Sequence, residues 1–570
     1  MLKHMKKSTN VKLTGFLCAA AFMATGIVNA QEPANYGRLS GSFETNTIWY
    51  MPDSLVYNNG NPMPADRIGS NNYLKLDYTL GKFSAGVQGE LYAPVLSGYQ
   101  EQYKGGKITN KYASWTDDNF FVTVGDFYDQ YGSGLIFRAY EDRALGMNSA
   151  VEGVRAGMNI GDAFAIRAML GRPRLYMDYA PSWLRGADAT LALSSLFGFK
   201  SQYLALEGSF LSQYDAARLN ITDMEGQPIL SSDMSAWSAR MVYEAAGFSG
   251  RVELVGKTPG AYLVDGIDMA YFGRAQLIEL GYSGYGWGIS LTGRNVSHMD
   301  MKLTDSKDLQ YSGLGNVLNY IPALTRQYTY SLANLDPFQV KTKGERAAQM
   351  DVFYNIRRGS QLGGRYGTKL HVNASLIYQP KDVYYVGKVP EDAKAMNFVY
   401  LDASFDFEKQ WNKAFKTTFL FAFQRMMGED WTMVPINRYV FALDGLYKFN
   451  TKHSLRLELQ YLYSPFVTME TTGAEGPVQE RLDDRRNNGD WWAAQLEYSF
   501  APVFSVFVSD MYNFQLERVH YYNVGVSYTK SRTRIALSYG RNRAGYVCSG
   551  GVCRQMPAYT GFNLSLTTSF

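Results

Sequence analysis

Apolar and polar residues alternate along this chain with a period of two, stretch after stretch, up to its last residue. Leu455, Leu457, Leu459 and Tyr461 interleave with Arg456, Glu458 and Gln460. Val399, Leu401, Ala403, Phe405 and Phe407 do the same with Tyr400, Asp402, Ser404 and Asp406, and Leu370, Val372, Ala374, Leu376 and Tyr378 with His371, Asn373 and Ser375. Further on, Trp492, Ala494, Leu496, Tyr498 and Phe500 oppose Gln495, Glu497 and Ser499, and Ile535, Leu537 and Tyr539 oppose Arg532, Arg534 and Ser538. An extended strand sends successive side chains to opposite faces, so each stretch predicts a strand with one apolar and one wet face. A soluble β-sandwich or β-solenoid satisfies the same alternation by hiding the apolar face in a core. Three features favour instead a sheet whose apolar face meets lipid: hairpins run without interruption, no amphipathic-helix pattern breaks them, and the ending is unusual. Phe562, Leu564, Leu566, Thr568 and Phe570 alternate with Asn563, Ser565, Thr567 and Ser569, so the chain stops on its last apolar-face residue. A final strand of this form resembles the signal read by the barrel assembly machinery of outer membranes.

The N-terminus predicts export. Lys3, Lys6, Lys7 and Lys12 precede an apolar stretch from Leu13 to Val28, and Val28-Asn29-Ala30 supplies a small-residue cleavage site. Residues 1–30 are therefore expected to be a signal peptide and the mature chain to start at Gln31. Lipidation at Cys18 is disfavoured, because Leu17 is too bulky for the position before a lipidated cysteine.

Beyond Ala30 no apolar run reaches the roughly 20 residues a spanning helix needs. Yet the composition is 46% hydrophobic and includes 43 Tyr and 32 Phe, the aromatic weight that two interfacial girdles of a barrel require. The expected fold is all-β, a transmembrane antiparallel β-barrel of the bacterial outer membrane over residues 31–570, with about 24 strands and a range of 22 to 26. Tight periplasmic turns are expected near Gly81-Lys82, Asp117-Asp118, Gly161-Asp162, Ala246-Gly247, Asn450-Thr451, Ala501-Pro502 and Lys530-Ser531. The connection from Ser297 to Glu345 shows no strong alternation and contains Pro322 and Pro337, which predicts an outer loop or a lumen plug. The first strand is expected near Tyr36, leaving no room for the N-terminal plug domain of a TonB-dependent receptor.

Charge excludes one large class of function. Of 56 lysines and arginines four fall within residues 1–30, where no acid falls, which leaves 52 basic against 52 acidic residues. A neutral chain lacks the basic patch that nucleic-acid binding demands. Catalysis has little support either. His298, His371, His453 and His520 are scattered, Gly281-Tyr282-Ser283-Gly284 is not a nucleophile elbow, and Gly106-Lys107 is followed by Ile108 where a phosphate loop needs Ser or Thr. No enzyme activity and no cofactor are expected.

Two motifs stand out. Cys548 and Cys553 flank Ser549-Gly550-Gly551-Val552 in the last connection; with the final strand ending at the periplasm, that connection faces the exterior, an oxidising compartment where such a pair reads as a disulfide. A metal site would need further ligands that are not nearby. The segment Gly125 to Gly146 is glycine-rich and carries Arg138, Glu141, Asp142 and Arg143, which can line a constriction if the backbone folds inward, or simply pair with one another. Lumen-facing candidates of both signs are Glu90, Arg155, Arg167, Glu207, Arg240, Glu244, Arg251, Glu253, Arg456 and Glu458. Their mixture predicts no strong ion preference.

The Gly125 to Gly146 stretch, the ending Cys548-Ser549-Gly550-Gly551-Val552-Cys553-Arg554 with Pro557, and the terminal Phe570 resemble an uncharacterised outer-membrane barrel family, a domain of unknown function from Bacteroidota-type Gram-negative bacteria. The likeness covers nearly the whole mature chain. It implies fold and location, and no functional residue. Two functions compete: a porin-like channel or transporter for small solutes, because so wide a lumen cannot be filled by strand side chains, and a scaffold for a surface lipoprotein or secretion partner, with tyrosine-bearing outer loops such as Tyr311 to Tyr330 as contact surface. Outer-membrane lipid is a partner in both.

Overall fold

The computed structural model describes residues 36–264, 267–306, 315–380, 396–427, 435–465, 468–473, 476–481, 489–515, 517–549 and 552–570. The expected signal peptide with Cys18, the mature start at Gln31, and Tyr311 lie outside the described residues.

The protein is a closed antiparallel barrel of 24 strands, running in sequence order from Arg38–Tyr50 to Tyr559–Ser569. The last strand returns to the first, with Ser42 opposite Ser569 and Tyr50 opposite Gly561. Closure removes the sheet edge, so strand N–H and C=O groups find partners within the sheet, the condition for a sheet to sit in hydrocarbon. Phe570 completes the seam: its N–H donates to the Gly41 carbonyl at 2.9 Å and its carbonyl accepts from the Gly41 N–H at 3.0 Å. The Phe570 ring packs over Gly41, where a side chain would meet it at 2.5 Å.

All the tight turns expected from the sequence join neighbouring strands, as Gly81-Lys82 does between Ile68–Leu80 and Phe83–Tyr92. Alternation of strand direction places them on one rim. The connections 51–67, 128–150, 298–343 and 543–558 start from the opposite rim.

The two faces follow the sequence pattern. On His453–Tyr463, Leu457, Leu459 and Tyr461 are exposed outside while Glu458 and Gln460 are buried inside. Exposed aromatic rings gather at both rims, among them Phe248, Trp287, Phe504 and Tyr528 beside the short turns, and Trp49, Trp183, Tyr214 and Tyr463 near the long connections. An amphipathic ring suits each membrane boundary. The apolar core lies in the lumen. Tyr131, Leu135, Ile136 and Phe137 pack there with Leu303, Leu318 and the wall residues Val255 and Leu277, and Leu332 and Leu335 pack with Leu420, Val440, Leu462 and Trp491.

Candidate functional site

Two connections that start at the long-connection rim fold inward and meet inside the barrel. The first, residues 128–150, follows Phe120–Phe127 and precedes Val151–Ile160. It reverses through two short ladders, Gln130–Tyr131 with Phe137–Arg138 and Glu141–Asp142 with Met147–Asn148. Its tip is set by Gly132, which has a left-handed φ of 56°. A side chain there would also lie 2.6 Å from Arg240 Nη1 and 2.7 Å from Glu253 Oε1, so glycine alone fits.

Those two wall residues belong to a paired network that seats the tip. Asp129 lies 3.1 Å from Arg167 and 3.7 Å from Arg155. Arg167 also reaches Asp188 at 3.0 Å and donates to the Gln130 carbonyl at 2.7 Å. Arg240 bridges Asp188 and Glu207, both at 2.7 Å. Glu253 accepts from the Ser238 hydroxyl at 2.7 Å and the Ser133 N–H at 3.3 Å. Nearby, Glu90 accepts two 2.8 Å bonds from the buried Arg174 guanidinium. Opposite charge offsets the cost of burying Arg167, Arg174 and Arg240, while Glu253 is held by neutral donors alone.

The four charges singled out in Gly125 to Gly146 are engaged inside the lumen and form no unpaired ring. Arg138 lies over Tyr320 at 3.9 Å and over Tyr140 at 4.5 Å. Glu141 pairs with Arg143 at 3.1 Å and accepts from Gln88 at 3.0 Å, while Arg143 reaches Glu44 of the first strand at 2.7 Å. Burial opposes the Arg143 charge, but the two carboxylates outweigh it and hold the guanidinium above its ordinary value. Asp142 accepts from the Leu145 N–H at 3.0 Å and closes a turn.

The second insert lies between Trp287–Ser297 and Gly344–Ile356, and its described residues, 298–306 and 315–343, contact the lumen wall on both sides. On one side Asp305 pairs with Arg218 at 2.6 Å and the Leu303 carbonyl accepts from Gln213 at 2.8 Å. In the middle it meets the first insert: the Tyr320 N–H donates to the Gly134 carbonyl at 2.9 Å, the Arg138 N–H to Leu318 at 3.1 Å, and Asn319 to the Leu135 carbonyl at 3.0 Å. On the far side Leu332 donates to Gln460 at 2.9 Å, Gln424 to the Ala333 carbonyl at 2.9 Å, and Asp336 pairs with Arg438 at 2.7 Å. Tyr328 and Tyr330 are buried here. This corrects the expectation that the tyrosine-bearing connection forms an outer contact surface: its apolar and polar side chains match the lumen wall, and burying them there removes them from water.

The remaining candidates lie nearer the short turns. Arg456 pairs with Asp444 at 2.8 Å and Glu458 at 2.7 Å. Arg251 lies 3.4 Å from Glu279, and Glu244 is exposed. Below the plug tip a cavity of about 410 Å³ is lined by Arg167, Asp188, Glu207, Arg240 and Arg251. At the opposite rim Cys548 and Cys553 are bonded, with S–S 2.02 Å, in the hairpin Gly545–Ser549 and Val552–Met556. Arg554 of that hairpin lies over Tyr99 at 3.5 Å. Sequence reasoning missed Asp129, Arg174, Asp188, Arg294 and Arg438. Strand parity marks the wall residues among them as inward, but nothing local marks them as buried. Among the described residues no group of three metal-ligating side chains occurs.

Among solved structures the barrel is similar to the P pilus usher (PapC) translocation pore, with a TM-score of 0.41 and 8% identity over 94% of this chain and 99% of that one. It is similar to the copper transporter OprC, at 0.39 and 10% over 95% and 82%. The siderophore receptor PirA from Pseudomonas aeruginosa matches at 0.37 and 10% over 95% and 81%. Likeness at this level is one of barrel architecture. Among curated proteins no relative matches. A family model covers residues 5–570, and the chain belongs to the family of unknown function DUF6029.

Proposed function

We propose that this protein is an outer-membrane channel or transporter for small solutes whose passage is governed by the two inserts. One observation carries the reading: the lumen is occupied by segments of the chain that are held to the wall by side-chain ion pairs and hydrogen bonds, not by the barrel's strand ladder. Contacts of that kind can be exchanged for contacts to a solute or to water without opening the barrel. Charges of both signs line the cavity below the tip, so its wall offers partners to polar and charged solutes alike. The scaffold reading loses its main support with the burial of Tyr328 and Tyr330.

Export belongs to the same proposal. The signal peptide is removed after Ala30, the assembly machinery recognises the strand ending in Phe570, and the barrel resides in outer-membrane lipid. N-terminal sequencing of the outer-membrane fraction should read from Gln31. Recovery of an intact Met1, or of soluble periplasmic protein, would count against it.

The channel reading is tested in planar bilayers. Wild type is expected to conduct weakly or remain closed, and a variant lacking residues 315–335 should conduct in large, steady steps. Silence of the deletion variant, with the barrel shown to be folded by heat-modifiable migration, defeats the proposal.

A further inference from the structure

Where the second insert meets the wall strands Met396–Gln410 and Phe415–Met427, it leaves a cavity of about 140 Å³. Its lining includes Arg326, Tyr328 and Phe338 from the insert, Tyr400, Asp402 and Gln424 from the wall, and Cys548 from the disulfide hairpin. Asp402 is 1% exposed. Its carboxylate accepts from Tyr328, from Tyr400 at 3.3 Å and from Gln424 at 3.1 Å, all uncharged donors. Among the described residues it forms no ion pair; Glu253 and Asp215 are also held by neutral donors alone, but of the three only Asp402 lines this cavity. A buried carboxylate satisfied by neutral donors keeps a large desolvation cost that an arriving cation would offset.

The charges around the cavity point the same way. The Arg326 guanidinium is engaged by Asp406 and donates to Ser404 at 3.1 Å. His371 bridges Asp406 at 3.0 Å and Asp351 at 2.7 Å. Of these charged groups only Asp402 and Arg326 line the cavity; in the shell behind them Asp351 and Asp406 outnumber His371, and Arg438 beside Tyr400 is neutralised by Asp336, so the surroundings keep an excess of one negative charge even with the histidine protonated. Phe338 and Tyr400, with ring centroids 5.3 Å apart, add aromatic walls of the kind that attract alkylammonium ions. The volume is close to the roughly 150 Å³ known to admit a six-carbon ring.

We infer that this cavity is a binding site for a small organic ammonium ion, with Asp402 as its counter-charge and Phe338 and Tyr400 as its aromatic walls. The site names a solute class for the channel proposed above and rests on that reading only for the claim that the bound cation is in transit.

The test is calorimetric titration of the detergent-solubilised full mature chain with tetramethylammonium, and with tert-butyl alcohol as the uncharged counterpart of similar size. Wild type should bind tetramethylammonium saturably and the alcohol not at all. Asp402→Asn should weaken binding by roughly thirtyfold or more, as expected on losing one partner of a buried charge pair. Phe338→Ala, which leaves every charge in place, should weaken it by roughly fivefold to tenfold. Heat-modifiable migration establishes that each variant is folded. Absence of saturable binding to wild type, equal binding of the alcohol, or unchanged affinity in both folded variants overturns the site. Binding is read without flux, so binding with a silent insert-deleted barrel upholds the site and defeats the channel, whereas conductance without binding defeats only the site.

Discussion

Arg240 is buried and touches both Asp188 and Glu207 directly beneath the tip of the first insert. Arg240→Ala leaves two carboxylates with reduced compensation, and the folded barrel should lose about 3–5 kcal/mol, read as a lower temperature of the heat-modifiable transition. An unchanged transition would mean that water replaces the guanidinium at no cost. Asp53, in the first long connection, accepts from Arg541 at 2.8 Å and from Thr560 at 2.8 Å and so ties that connection to the last two strands. Burial pushes its carboxyl up, but Arg541 and Thr560 outweigh burial and hold it below the ordinary 3.8. A carboxyl held lower in the folded state stabilises fully above its unfolded value, and the contribution disappears as pH falls through the folded value. Wild type should therefore lose stability as pH falls below the ordinary carboxylate value, and Asp53→Asn should show a shallower acid slope. Equal slopes would place the acid sensitivity elsewhere. At this scale strand parity marks Arg167, Arg240 and Glu253 as inward in the sequence alone. Their partners come from other strands or from an insert, and no local pattern announces them.

The final strand and the disulfide hairpin are elements whose form is written locally. Deleting Phe570 removes both bonds to Gly41 and the ring packed on it, so the yield of assembled barrel should fall while synthesis continues. Unchanged membrane yield would show that the seam closes without its last residue. Cys548 and Cys553 should resist thiol labelling until reduced, and because the closed loop is short, Cys548→Ser with Cys553→Ser should loosen the hairpin far more than it lowers barrel stability. Labelling of the unreduced protein at both positions refutes the bond. The inserts are different. Glycines and charges in 128–150 and the missing alternation in 298–343 marked both as irregular, yet their inward course depends on a wall that the local sequence does not contain.

For the whole molecule, the two inserts brace each other through Gly134, Leu135, Leu318, Asn319 and Tyr320, so they should fail together. Tyr320→Ala and Arg138→Ala each free one side of the stacked pair. The double variant should cost less than the sum of the singles by roughly 0.5–2 kcal/mol, measured by a double-mutant cycle on the heat-modifiable transition. Strict additivity would mean that the stacked pair does not couple the inserts. The sequence by itself determined the strands, their lipid and lumen faces, the turns and the rim on which each connection starts, because a period of two and turn chemistry act between near neighbours in the chain. Only the tertiary structure decided that the inserts occupy the lumen, which inward charges are buried, and which buried carboxylates lack a counter-ion. Those properties depend on the separation of groups that lie up to hundreds of residues apart in sequence, and closure of the barrel is what brings them within a few ångströms.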